Sequence, residues 1–100
     1  MTVTTRIPGR PDWAAGPLYT LMMEIFPDHR TKLGVLDIPR LTGDLNKSHE
    51  AIYKWLRQGK MKPSNARAII EAANSDENKE ALAKAGRKVP EIEEFMPFFL

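Results

Sequence analysis

The apolar positions of the chain fall into blocks with helical spacing, separated by short polar or proline-bearing breaks. In LYTLMMEIF, Leu18, Leu21, Met22 and Ile25 recur every three or four residues, which predicts a helix that Pro17 opens and Pro27 ends. From Pro27 to Leu36 no period holds, so a connection is expected there, with a short extended piece near Val35. Asp37 is a good N-cap for a short second helix. Pro39 is tolerated in its first turn, because the N–H it lacks has no intrahelical partner there. Leu41 and Leu45 give this helix an inner face, and Asn46, which accepts the left-handed conformation, stops it.

Ser48 caps the next helix, which is expected to run to about Gln58 and to terminate at Gly59. Ile52, Trp55 and Leu56 form its apolar stripe. Glu50, Tyr53, Lys54 and Arg57 crowd the other side, with His49 beside them. MKPSNARAIIEAAN supplies a fourth helix from near Pro63 to Asn74, with Ala66, Ile69, Ile70 and Ala73 inward, and a fifth covers Asp76 to Ala85. In VPEIEEFMPFFL, Pro90 and Pro97 argue against a long helix, while Phe95, Phe98, Phe99 and Leu100 argue against a solvated tail. The expectation is an all-α bundle of four to five short helices in three parts: a flexible arm over 1–14, marked by the Pro8–Pro11 run; a helical domain over 15–86; and an apolar C-terminal tail over 87–100, packed on the core or on a dimer partner.

Composition narrows the function classes. At 100 residues, 42% of them hydrophobic and 28% charged, the chain suits one folded unit with a modest core. No cysteine is present, which removes disulfides, thiolate nucleophiles and cysteine-ligated zinc. MTVTTRIPGRPDW lacks the apolar core of a secretory signal, and no run approaches the roughly 20 apolar residues that span a bilayer, so a cytoplasmic protein without membrane contact is expected. His29 and His49 lie far apart without a carboxylate pattern for a metal, and Asp28 beside His29 suits a turn better than a catalytic dyad. No nucleophile, glycine-rich phosphate loop or acid pair stands out. The expectation is therefore no enzymatic activity, no cofactor and no small-molecule substrate.

Charge changes the picture further. The net charge is only +2, yet from Lys47 to Arg67 six cations face Glu50 alone, and from Asp76 to Glu94 the local balance is negative. The positive charge gathers where two short helices meet at Leu45, Asn46, Lys47 and Ser48. Such a pair, locked by Leu41, Leu45, Ile52 and Trp55, describes a helix-turn-helix whose second helix presents a rigid outer face.

LTGDLNKSHEAIYKWLRQGKMKPSNARAIIEA resembles the helix-turn-helix of the lambda repressor and Cro-like family of phage and bacterial regulators, ungapped over Leu41 to Leu56 and extending from Leu18 to Asn74. Ile52 and Trp55 fall on the family's apolar positions in the recognition helix, and Gly59 with Lys60 on the loop after it. The departures are Thr42 where alanine is usual, Asn46 where glycine is usual, and a longer connection over Pro27 to Leu36. The resemblance implies a lambda repressor-like fold that binds a double-stranded DNA operator with the Ser48–Gln58 helix in the major groove, as a homodimer.

Carried over by position, Ser48, His49, Glu50 and Lys54 face base edges, and Tyr53 lies at the rim of the groove. Side-chain chemistry agrees. Lys54 can donate to guanine O6 or N7, Glu50 can accept from cytosine N4, and His49 can donate to a purine N7, each pair discriminating by about 1–3 kcal/mol. Glu50 on a basic face implies either base contact or an internal ion pair with Lys54 at i+4. Lys47, Arg57, Lys60, Lys62 and Ser64, at helix ends and in the loop, suit phosphates, and Arg6 and Arg10 of the arm can reach the backbone or minor groove. Repression is favoured over activation, because little surface is left to recruit polymerase beyond an acidic patch at Asp76 to Glu80. The competing expectation is an adaptor or anti-repressor that uses the same basic face on a protein partner.

Overall fold

The computed structural model describes residues 12–100; the Pro8–Pro11 run, Arg6 and Arg10 lie outside the described residues. Five α-helices follow in order: α1 (Gly16–Ile25), α2 (Ile38–Leu45), α3 (His49–Gln58), α4 (Pro63–Ala73) and α5 (Asp76–Lys84). A 3-10 helix (Ile92–Phe98) comes after them. Among the described residues there is no strand, only two isolated bridges, Arg30 with Leu36 and Met61 with Phe99. The molecule is all-helical, as the spacing of its apolar residues predicts.

Local chemistry sets the helix ends. The Asp37 carboxylate accepts from the Arg40 N–H at 3.3 Å, the Ser48 hydroxyl from Ala51 at 3.1 Å, and the Ser75 hydroxyl from Asn78 at 3.2 Å. Asn46 closes α2 in the left-handed conformation, with φ 54° and ψ 43°. Gly59 closes α3 at φ 65° and donates to the Trp55 carbonyl at 2.7 Å.

A single core joins the elements. Leu18, Met22, Ile25 and Phe26 meet Leu36, Ile38, Leu41, Ile52, Ile69 and Phe95, all fully buried. Trp55 joins that core, as its place in the Ile52 stripe predicts, whereas Ile70 is only half-buried. One buried amide ties the bundle together. Asn78 of α5 donates from Nδ2 to the carbonyls of Ile25 at 2.8 Å and Ala73 at 3.0 Å, so it holds the exposed ends of both α1 and α4.

One segment departs from expectation, and two others gain detail beyond it. Ala14 is fully buried and Trp13 half-buried, with its ring against Tyr19 and Tyr53, so these two residues, expected in the arm, pack on the helices instead. Indole area gains more from that contact than from water. The Pro27–Leu36 connection is a tight reversal, with Thr31 donating to Val35 at 2.8 Å and Asp37 to His29 at 2.8 Å. Finally, the segment around Pro97 is helical, but in the tighter 3-10 form. A capping box between Glu91 and Glu94 starts it, Arg87 pairs with Glu94, and Phe95 plugs the core. Pro97 lies inside this 3-10 helix, where it has no N–H to donate, and the helix ends one residue later at Phe98.

Candidate nucleic-acid interface

The structure brings the residues singled out from sequence into two groups, His49, Tyr53 and Arg57 on α3 and Lys54, Lys60, Lys62 and Ser64 around one groove, and α2 orients the helix that joins them. Leu41 and Leu45 of α2 and Ile52, Trp55 and Leu56 of α3 are all buried in the shared core, and the turn between the helices is only Asn46, Lys47 and Ser48. With that stripe facing inward, helical geometry turns His49, Glu50, Lys54 and Arg57 outward, and all four are exposed. Tyr53 and Lys47 are half-buried. The Ser48 side chain caps α3, which leaves its hydroxyl proton available to an outside acceptor.

Tyr53 is the hub of this face. Trp13 packs on it with ring centroids 5.2 Å apart, the His49 ring lies 6.4 Å away at 31°, and the Arg57 guanidinium stands 5.9 Å from its ring centre. A tyrosine held by an indole on one side can restrict both His49 and Arg57, which would otherwise be free rotors. Helical spacing puts Tyr53 on the outer side of α3, but it gives no sign of Trp13, which lies forty residues earlier.

Glu50 and Lys54 do not neutralise each other. Ion pairs among the described residues include His29 with Asp44, Lys84 with Glu80, and Arg87 with Glu94, and the i+4 pairing of Glu50 with Lys54 is not formed. An unpaired carboxylate and an unpaired ammonium one turn apart form a face with both donor and acceptor capacity.

Beyond Gly59 the chain adds Lys60 and Lys62, both exposed, on either side of the buried Met61. Ser64 is exposed in the first turn of α4, whose N-cap Lys62 makes no side-chain cap. Asn65 and Ala66 donate back to the Lys62 carbonyl, at 3.0 and 3.3 Å, so the Ser64 N–H is the first-turn amide that has no acceptor among the described residues. A groove between α3 and α4 connects these groups, with Lys54, Lys60, Lys62 and Ser64 on its walls and Trp55 and Met61 at its floor.

One polar pair was not foreseen. His29, 4% exposed, meets the Asp44 carboxylate across 2.6 Å, which joins the α1–α2 connection to α2. The carboxylate can only accept, so His29 Nε2 carries the proton between them. Nothing local marks the pair, whose members are fifteen residues apart and lie away from the α3 face. Among the described residues no group of three or more histidine, cysteine, aspartate or glutamate side chains is placed to hold a metal, and no helix is long and apolar enough to cross a membrane.

Comparison with protein-family models, with curated proteins and with solved structures gives no match. Function has to be argued from the side chains themselves.

Proposed function

We propose that this protein is a sequence-specific double-stranded DNA-binding regulator of the lambda repressor and Cro-like type, acting as a repressor by occupying an operator as a homodimer. The observation that carries this reading is the outer face of α3. Its apolar stripe is locked against α2 through a left-handed turn at Asn46, and His49, Glu50 and Lys54 stand exposed and unpaired on the far side. A rigid helix face with mixed donors and an acceptor suits the major groove, where each base pair has its own donor and acceptor pattern.

In this reading Ser48, His49, Glu50 and Lys54 meet base edges. Tyr53 holds His49 and Arg57 at the rim, while Lys47, Arg57, Lys60, Lys62 and Ser64 meet phosphates. Electroneutrality supports the division. Exposed lysines give affinity without sequence information, whereas Glu50, favourably placed in the first turn of α3, is repelled by phosphates and suits a base donor.

An adaptor that binds an acidic protein segment is the second reading, favoured by the partly apolar floor of the groove beside Lys54, Lys60 and Lys62. Duplexes selected from a random pool decide between them. Enrichment of an inverted repeat supports operator binding. Weak binding, equal for selected and scrambled duplexes and lost equally with salt, supports the protein partner.

A further inference from the structure

Lys60, Met61 and Lys62 are spaced as an extended strip, with Lys62 at ψ 151°. In extended chain successive side chains leave on opposite sides, so the inward Met61, 1% exposed, sends both lysines out on the other side. The backbone of Met61 has no helix to satisfy it. The segment after the 3-10 helix does so instead: Met61 N–H donates to the Phe98 carbonyl at 2.8 Å, and the Met61 carbonyl accepts from Leu100 N–H at 3.0 Å. Lys60 Nζ in turn donates to the Pro97 carbonyl at 3.4 Å.

The segment making these bonds is itself anchored by Phe95, fully buried, and by the Glu91–Glu94 capping box. The Leu100 side chain is 77% exposed, so its N–H contributes more here than its apolar area.

We infer that residues 97–100 are a positioning element of the interface: by pairing with Met61 they fix where Lys60 and Lys62 stand, and so set the phosphate contacts. The inference rests on the proposed DNA-binding function and deepens it. A neutral carbonyl holds the Lys60 ammonium without cancelling its charge, and a phosphate oxygen, a stronger acceptor, takes over on binding.

The test removes a single N–H. Leu100→Pro deletes the donor to Met61, and Phe99 already has φ −72° and ψ 140°, which a following proline accepts. Leu100→Ala keeps the donor and is the control. Both are compared with the wild type on the selected duplex and on a scrambled one across a salt series, with folding checked by circular dichroism.

Leu100→Pro is expected to bind roughly fivefold more weakly at about 0.1 M salt, with the slope of log K against log salt shallower by about 1, and with unchanged discrimination between duplexes. These changes are read relative to Leu100→Ala, which loses the same groove-lining side chain but keeps the donor to Met61. A folded Leu100→Pro variant with wild-type affinity and slope overturns the inference alone. A wild type that binds no duplex overturns the DNA reading, and the positioning role with it.

Discussion

Lys54 and Lys60 have the same side chain and are assigned different tasks. Lys54 stands on the outer face of α3 one turn after Glu50, whereas Lys60 sits beyond the helix with its ammonium on the Pro97 carbonyl. Lys54→Ala should therefore reduce binding to the selected duplex more than to a scrambled one. Lys60→Ala should weaken both about equally and make the salt dependence shallower by about 1. Competition assays with both duplexes check this, and equal behaviour of the two variants would defeat the division between base and phosphate contacts. Tyr53 acts through its neighbours. Tyr53→Ala removes the ring that Trp13, His49 and Arg57 share, and should cost about 1–2 kcal/mol of stability as well as DNA affinity, while Tyr53→Phe keeps the ring contacts and most of the stability. Chemical denaturation followed by tryptophan fluorescence reads the difference.

At the scale of elements, the turn between α2 and α3 is the joint on which the face depends. Asn46 has φ 54°, so Asn46→Ala keeps a Cβ in the left-handed region but loses the short polar side chain that eases it there, and should destabilise the protein by about 1 kcal/mol; Asn46→Gly should be neutral or slightly stabilising. Thermal melts of the two variants check the sign. Asn78 joins elements 53 residues apart in sequence. Asn78→Asp replaces two donated bonds with a carboxylate facing two carbonyls, and a loss of about 2 kcal/mol or more in denaturant titrations is expected; a wild-type midpoint would show that the Ile25 and Ala73 carbonyls do not need this donor. These two residues also mark what sequence discloses. The Asn46 turn, the Asp37 and Ser48 caps and the Ile52–Trp55 stripe depend on neighbours a few residues away, and their residue types are specific enough to be recognised. The Asn78 clamp, the His29–Asp44 pair, Trp13 on Tyr53 and the Met61–Phe99 bridge are long-range meetings of ordinary residues, with no local signature. Thus the exposed members of the face and the local stripe, caps and turn that orient α3 are legible in the sequence, whereas the long-range contacts that brace them are not.

For the whole molecule, the basic residues gather along α3 and the loop after it, and the exposed Leu100 lines the groove between them, whereas Leu33 and Met96 are the other exposed large hydrophobic side chains among the described residues. In the proposed reading a single α3 of ten residues would touch few base pairs, so two copies on adjacent half-sites would multiply discrimination. The central claim is that the α3 face selects sequence. The most direct measurement is selection of bound sequences from a pool of random duplexes, followed by a salt titration on the enriched duplex and a scrambled control. The account predicts an inverted repeat, with half-sites about one helical turn apart, whose preference over the scrambled duplex is lost when His49, Glu50 and Lys54 are replaced by alanine. No enrichment, with binding to both duplexes fading together as salt rises, would contradict it.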